Sequence, residues 1–371
     1  MNLKKENILF FTRTMQLGGT ENVILQICEI LKPYVNKIIV CSCGGVNLTQ
    51  LDQMGIKHYE IPDIDSKSPK ILIDVFCKVK SIIKNENITI VHTHHRMATF
   101  YMHFLKKVCN VKLLSTLHGS FTDKKTLTRM VYKNINIIAC GYIVKDYFVK
   151  NYNIDEKNVT VISNAIKKVS SNNKIIDEKK YNMKKNKKIA YIGRLSKEKG
   201  VDLLIESFAI LLEKNKNLSL IIVGSGDLDS KLKSQVKELH IENNVIFLGY
   251  QENIQDIIQQ IDLVVLPSYT EGLPLTPIES FAYGKPVVAT AAGGTVEIIE
   301  DNKNGFLVPI GDVKALTEKI QEVIENESLY KKMCLEAENT YKEKYTFNVF
   351  KNKILDYYEQ ISEERKWKIK K

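Results

Sequence analysis

The 371-residue chain is 44% hydrophobic and 26% charged, the usage of an ordinary globular protein with material for two buried cores, which excludes a disordered chain. Its 18 glycines and 8 prolines are too few for a collagenous or linker-rich protein, and no apolar run reaches the ~20 residues of a membrane-crossing helix. The net charge of +11 is divided unevenly, with +9 on residues 1–165, +7 on 166–188 and −5 on 189–371, so the basic half is expected to meet something anionic, such as a membrane surface or nucleic acid.

Residues 1–6 are charged and pass directly into an apolar run at 8–12, without the long apolar core or small-residue cleavage site of a signal peptide; the expected address is the cytoplasm. Apolar, β-branched-rich runs follow at 37–41, 56–61, 88–92, 112–117, 137–139 and 159–162. They lack sustained alternation, as expected of parallel strands buried on both faces. Amphipathic stretches at 22–31, 71–84 and 99–107 lie between them. Residues 167–187 break the rhythm with a polar, lysine-rich stretch that reads as a linker. It restarts with strands predicted at 188–192, 218–223, 245–248, 263–266, 286–290 and 306–309, and helices at 201–212, 228–239 and 276–283. Residues 312–364 are helical by pattern, and the tail 364–371 is basic and carries the only tryptophan, Trp367. Repeated βα on both sides of a linker predicts an α/β protein of two doubly wound parallel-sheet domains facing a cleft, with chemistry in the loops after the strands.

The seven cysteines are odd in number and mostly sit in apolar runs (Cys28, Cys77, Cys109, Cys140), which predicts reduced thiols used as small core residues. Cys41 and Cys43 are two apart, a poor zinc spacing.

Four loops carry candidate chemistry. The segment 268–280, Ser-Tyr-Thr-Glu-Gly-Leu-Pro-Leu-Thr-Pro-Ile-Glu-Ser, follows a strand and opens a helix; Glu271 falls in the loop and Glu279 about one turn into the helix. Pro274 and Pro277 lack an N–H, so Gly272, Leu273, Leu275 and Thr276 are the candidate backbone donors to phosphate, while the two carboxylates suit hydroxyl groups. A sugar nucleotide offers both. Upstream, Gly193-Arg-Leu-Ser-Lys-Glu-Lys-Gly200 brings Arg194 and Lys199 to a strand end, two cations suited to a diphosphate leaving group. Leu17-Gly-Gly-Thr-Glu21 lets backbone approach a ligand at a helix start through Gly18 and Gly19; it is not the Gly-x-Gly-x-x-Gly dinucleotide fingerprint. Val223-Gly-Ser-Gly-Asp227 reads as a tight strand-to-helix turn. Histidines end two strands, at His92-Thr-His-His-Arg96 and at His118, where they can bond sugar hydroxyls or move protons. His92, His94 and His118 would offer three metal ligands only if neighbouring strands brought them together, with no carboxylate or thiol at ligand spacing; the expectation is no metal.

The ordered set Gly18-Gly19, His118, Arg194 with Lys199, and Glu271 with Glu279 resembles glycosyltransferase family 4. Asn164, Gly293-Gly-Thr-Val-Glu297 and Asn304-Gly-Phe-Leu-Val308 add to the resemblance, which spans residues 7 to about 310; Ala165 departs from the family's Asn-Gly. The resemblance implies a GT-B fold: an acceptor-binding Rossmann-like domain over 1–166, the basic linker 167–187, and a nucleotide-sugar domain over 188–346. The helix at about 347–371 is a candidate to pack back on the first domain. It implies a retaining hexosyltransferase that needs no metal cofactor, taking a nucleotide-diphosphate sugar, UDP being the commoner choice. The acceptor would be a lipid-linked or cell-envelope glycan in polysaccharide biosynthesis. Arg194 and Lys199 would hold the diphosphate, Glu279 the ribose, and Glu271 and His118 the transferred sugar. The amides of Gly272 to Leu275, with Thr276, would contact phosphate or sugar, Gly18 and Gly19 would lie under the diphosphate, and Tyr250 would face the base. His94, His95 and Arg96 are candidate acceptor contacts. The lysine-rich first half, with Lys70, Lys78, Lys80 and Lys84 on one predicted helix, predicts peripheral attachment to an anionic membrane. Two other readings stay open from sequence: a nucleotide-sugar 2-epimerase of the same architecture, and a non-catalytic basic partner subunit. Nucleic acid finds no recognition helix, zinc module or aromatic–basic interleaving.

Overall fold

The computed structural model describes residues 3–119, 123–169, 175–176 and 187–368, with side chains to 363. The chain divides into two compact units, Met1–Asn164 with Asn348–Lys371, and Ala165–Phe347. Most of the polar stretch 167–187 and the side chain of Trp367 lie outside the described residues.

The first unit contains β1 (Asn7–Phe11), α1 (Gly19–Leu31), β2 (Lys37–Ser42), α2 (Leu48–Gln53), β3 (Lys57–Glu60), α3 (Pro69–Asn85), β4 (Ile90–Thr93), α4 (Arg96–Cys109), β5 (Lys112–Leu117), α5 (Lys125–Tyr132), β6 (Asn136–Ala139), α6 (Tyr142–Tyr152) and β7 (Val159–Val161). The second contains β8 (Lys187–Ile192), α7 (Val201–Lys214), β9 (Leu218–Val223), α8 (Asp229–Glu238), β10 (Val245–Gly249), α9 (Ile254–Gln259), β11 (Leu263–Leu266), α10 (Thr276–Ala282), β12 (Val287–Thr290), α11 (Thr295–Ile298), β13 (Gly305–Val308), α12 (Val313–Glu325) and α13 (Glu327–Lys344). Helix α14 (Phe347–Lys368) follows.

Each unit holds one sheet, ordered β3-β2-β1-β4-β5-β6-β7 and β10-β9-β8-β11-β12-β13. Every pairing is parallel. Continuous apolar strands result because helices cover both faces: all residues of β1 and β9 are buried. In β8 the faces separate by parity. Ile189 and Tyr191 join the core under α7 and α12, while Ala190 and Ile192 join the core under α10 and α13.

Helix boundaries follow local chemistry. Pro69 opens α3 at a position where a missing N–H costs nothing. Side chains of Asp312 and Asn326 cap α12 and α13 by accepting from Ala315 N and Leu329 N, both at about 3 Å. Helix α14 packs within the first unit: Tyr358 and Tyr357 bond His92 and the Ile137 carbonyl, and Ser362 Oγ donates to Glu6 Oε1 at 2.7 Å.

In both sheets the strand order reverses once, between β1 and β4 and between β8 and β11. Ligands of doubly wound sheets bind beyond the carboxyl ends of strands at such reversals. The loops there are 12–18 and 94–95 in the first unit, and 193–200 and 267–275 in the second.

Candidate active site

In the second unit, five strand-end loops are sewn together by backbone. Gly193 N donates to the Val223 carbonyl at 3.0 Å, Leu195 N to Ser225 at 3.0 Å, Gly224 N to Gly249 at 2.8 Å, and Tyr269 N to Glu198 at 2.8 Å. Gly294 N donates to Gly272 at 2.7 Å. Two glycines make these approaches possible. Gly224 has φ +134°, and a Cβ there would lie 1.8 Å from the Gly193 carbonyl oxygen; Gly293 has φ +51°, and its Cβ would lie 1.9 Å from the Glu271 carbonyl oxygen. The Glu271 and Gly272 carbonyls are thus turned onto the Gly293-Gly294 corner. The amides of Gly272, Leu273, Leu275 and Thr276 have no acceptor among the described residues, which leaves them able to receive an anion.

Glu271 is held on two sides. Lys199 Nζ lies 2.7 and 2.8 Å from its two carboxylate oxygens, and the buried Ser268 hydroxyl donates to Oε1 at 2.7 Å. The side chains are 25% and 6% exposed, so Lys199 reaches solvent and Glu271 barely does. Arg194 is exposed, and its guanidinium makes no hydrogen bond or salt bridge among the described residues. Its loop is fixed from beneath, since the buried Tyr191 hydroxyl donates to the Arg194 carbonyl at 2.8 Å. Arg194 and Lys199 both flank Glu198. Its carboxyl is held below the usual range chiefly by the Ser196 hydroxyl, with smaller contributions from its own backbone amide and then the two cations. Lys199 is thus held in a salt bridge with Glu271, while Arg194 has only the nearby Glu198 charge.

Glu279 sits in the first turns of α10. It keeps part of its surface in solvent, yet no cation or donor reaches its carboxylate among the described residues, and burial pushes the carboxyl up to about 7. A half-buried carboxyl without a partner, at a strand-reversal loop, is a place where ligand hydroxyls can be satisfied. Tyr250 follows the bulge at Gly249 (φ +67°) and is 64% exposed.

In the first unit, Gly18 is extended and α1 begins at Gly19; in that turn Glu21 accepts from the Thr14 hydroxyl at 2.8 Å. Neighbouring β4 and β5 bring the histidines together. The rings of His92 and His94 lie 4.2 Å apart and those of His94 and His118 stack at 5.2 Å. Among the described residues no group of three or more His, Cys, Asp or Glu has the arrangement of a metal site. Instead His94 Nδ1 and His118 Nε2 share a hydrogen bond of 2.9 Å. Burial holds His92 and His94 well below the ordinary imidazole value and His118 at about 4, so all three are neutral at pH 7. The other nitrogen of His94, Nε2, is buried without a partner among the described residues. An orphaned N–H is rarer in protein interiors than an under-used acceptor, which places the His94 proton on Nδ1, donated to His118. His118 then accepts at Nε2 and presents an N–H at Nδ1.

Of the three candidate acceptor contacts, His94 is buried behind His118, while His95 and Arg96 line a pocket of about 540 Å³. His95 caps α4 by accepting from Met97 N at 3.2 Å. Arg96 forks onto Asp123 at 2.8 and 2.9 Å. Asp65, Lys67, Phe100 and Lys124 also line the pocket. The sequence reading passes over Asp65 and Lys67; the only signal was a turn-rich run, Pro62 to Pro69, whose place beside α4 depends on the tertiary fold. It also misses Ser268, whose hydroxyl fixes Glu271.

Comparison with known proteins bears on the family and the fold. The model for glycosyl transferases group 1 matches residues 172–340, and that for glycosyltransferase family 4 matches residues 17–168. N-acetyl-alpha-D-glucosaminyl L-malate synthase of Bacillus anthracis is 28% identical over 302 residues, 76% of this chain and 77% of that protein. The UDP-Gal:alpha-D-GlcNAc-diphosphoundecaprenol alpha-1,3-galactosyltransferase of Escherichia coli is 25% identical, covering 84% of this chain and 86% of its own. The crystal structure of Anabaena HepE in complex with UDP superposes with a TM-score of 0.82 at 22% identity, over 95% of this chain and 100% of that one, which shows a shared GT-B fold. The two family models together match most of both units, leaving out residues 1–16 and 341–371 at the two ends, and the chain belongs to the glycosyltransferases of the family 4 type, enzymes of glycan biosynthesis.

Proposed function

We propose that this glycosyltransferase moves a hexose from a UDP-sugar to a hydroxyl of a lipid-linked glycan, with retention at the anomeric carbon. The observation that carries the reading is the cluster in the second unit: the exposed guanidinium of Arg194, the ammonium of Lys199, and four unpaired amides beside Glu271. The amides and cations suit a diphosphate, Glu279 suits the ribose hydroxyls, and the exposed ring of Tyr250 suits the base. Glu271 suits hydroxyls of the sugar. In the first unit we assign His118 to the transferred sugar through its Nδ1–H, and Gly18 and Gly19 to the diphosphate, roles carried by the family resemblance. His95 and Arg96 are assigned to the acceptor by the pocket they line.

The chemistry we favour is a front-face displacement. The anomeric carbon–oxygen bond to the diphosphate breaks, the acceptor oxygen forms its bond on the same face, and the departing phosphate oxygen takes the acceptor's proton. Arg194 and Lys199 neutralise the charge that builds on the leaving group. Glu271 already accepts from Lys199 and Ser268 on its oxygens, which makes it a poor nucleophile for a double displacement. No step of this reading calls on a metal ion.

The donor and lipid-linked acceptor printed in the name of the Escherichia coli relative support the substrate class. No described helix is long and apolar enough to cross a membrane. We place the protein on the cytoplasmic membrane face, attached peripherally; seven cysteines, odd in number and mostly set in apolar runs, suit a reducing compartment. The test is a thermal-shift panel of UDP- and GDP-sugars, then product analysis with the best donor, first alone and then with glycolipid acceptors. The expected result is stabilisation by a UDP-sugar and an acceptor-dependent product with the donor's anomeric configuration. Interconversion of the sugar without acceptor would show an epimerase instead, and no stabilisation by any nucleotide would overturn the reading.

A further inference from the structure

Helices α3 and α4 of the first unit pack together and leave an apolar strip facing solvent. Ile73 is 65% exposed, Phe104 48% and Val108 66%. The strip is continuous across the two helices: the Phe104 ring meets Phe76 edge-on at 6.1 Å and Phe100 at 5.3 Å. Large apolar side chains on a soluble surface are usually scattered; a contiguous group marks a contact surface.

What surrounds the strip identifies the partner. On α3 the sequence positions 73, 77, 80 and 84 fall on one stripe, with Ile73 and Cys77 giving way to Lys80 and Lys84, all four exposed. Lys80 and Lys84 lie close enough to Cys109, at the end of α4, to act on its thiol, so the lysine end of that stripe lies beside the end of α4; the exposed Lys107 follows Phe104 by three positions, on the same side of α4 as the apolar strip. Among the described residues no carboxylate pairs with Lys80, Lys84 or Lys107, whereas Lys78, on another side of α3, pairs with Asp74. Apolar side chains beside unpaired lysines on long stems have the composition of an interfacial helix pair on anionic lipid. The strip also runs to the candidate acceptor pocket, because Phe100 belongs to both.

We propose that the α3–α4 face inserts Phe104, Val108 and Ile73 into the headgroup boundary of an anionic membrane while Lys80, Lys84 and Lys107 bind its phosphates, placing the acceptor pocket beside the lipid surface. This rests on the lipid-linked acceptor of the proposed function and adds where, and by which side chains, the membrane is met. It separates from simple electrostatic adsorption, because both halves of the surface are needed.

The test is co-sedimentation of the full chain with vesicles of phosphatidylglycerol and phosphatidylethanolamine, and with phosphatidylcholine vesicles. Wild type should bind the first and not the second. Phe104→Ser/Val108→Ser should lower the partition coefficient at least ~tenfold. Lys80→Glu/Lys84→Glu should lower it at least ~20-fold, about a factor of five per lysine removed. Unchanged thermal unfolding and an unchanged nucleotide-induced shift show that the variants are folded. Failure of wild type to bind anionic vesicles, equal binding to phosphatidylcholine, or full binding by the Phe104/Val108 variant would overturn the proposal. So would a dimer in sedimentation velocity that dissociates in that variant, which would make the strip a contact between copies. Transfer to a glycolipid acceptor is measured in parallel: its absence alongside intact vesicle binding would count against the lipid-linked acceptor of the proposed function and leave the surface standing.

Discussion

Glu279 combines two demands that conflict in the ligand-free protein: its carboxyl is desolvated, and it has no hydrogen-bond donor among the described residues. Burial raises it from 4.5 to about 7. A carboxyl raised in the native state binds more protons there than in the unfolded chain, so its contribution to stability is present below about pH 4.5 and is lost as pH rises through about 7. Glu279→Gln should therefore stabilise the ligand-free protein more at pH 8 than at pH 5, measured as the difference in urea midpoint from wild type. The same change should weaken nucleotide binding about tenfold, since the amide replaces an acceptor pair. A variant-minus-wild-type difference that stays flat between pH 5 and 8 would contradict the burial argument. His94 makes a second residue-scale case. Leu at this position removes the N–H given to His118, while Gln keeps one. The wild-type His118 ring should be protonated at Nδ1 by two-dimensional proton–nitrogen correlation; in His94→Leu it should revert to the Nε2–H form, and in His94→Gln it should not. Transfer should fall in the Leu variant with donor affinity largely kept. These details were beyond the sequence. His94 and His118 were each legible as strand-end histidines, but their pairing depends on β4 lying beside β5, and Glu279's isolation depends on what the loops leave uncovered.

At the scale of elements, the strands were legible almost to the residue. The predicted runs at 112–117, 218–223 and 263–266 are strands β5, β9 and β11 as found, because double-sided burial demands β-branched continuity and polar residues end it. Short helices α2, α5 and α6 were not read, since a few turns bury too little surface to impose a clear period. Gly293 and Gly294 were visible only as a family-like segment; the structure gives the reason for them. Their corner receives the Glu271 and Gly272 carbonyls, which turns the opposite amides outward. Gly293→Ala must tolerate φ +51° and a carbonyl oxygen inside contact distance. It should cost at least ~1–2 kcal/mol in urea unfolding from the left-handed backbone alone. It should also reduce nucleotide affinity, because the loop moves to clear the clash. Wild-type stability and affinity in this variant would mean that the corner does not set the loop.

Over the whole molecule, strand order explains why the motifs lie where they do. Gly18-Gly19 follows β1, the histidines follow β4 and β5, Arg194 and Lys199 follow β8, and Glu271 follows β11. Four of those five strands flank the one reversal in each sheet, β5 being one strand further out. Alternating βα segments made both sheets legible in the sequence. The reversals were not, because the order of parallel strands depends on crossover choices that periodicity leaves open. The uneven charge was also legible, but its count could not separate a dispersed lysine surface from the apolar and basic face of α3 and α4. The central claim is that a guanidinium and an ammonium in the second unit hold the leaving diphosphate. Its most direct measurement is steady-state transfer by Arg194→Ala, Lys199→Ala and the double variant, with unchanged unfolding midpoints as the folding control. Each single change should lower kcat/KM by roughly 10²–10³-fold, the loss typical of one transition-state charge partner. Full turnover by the double variant would contradict the account.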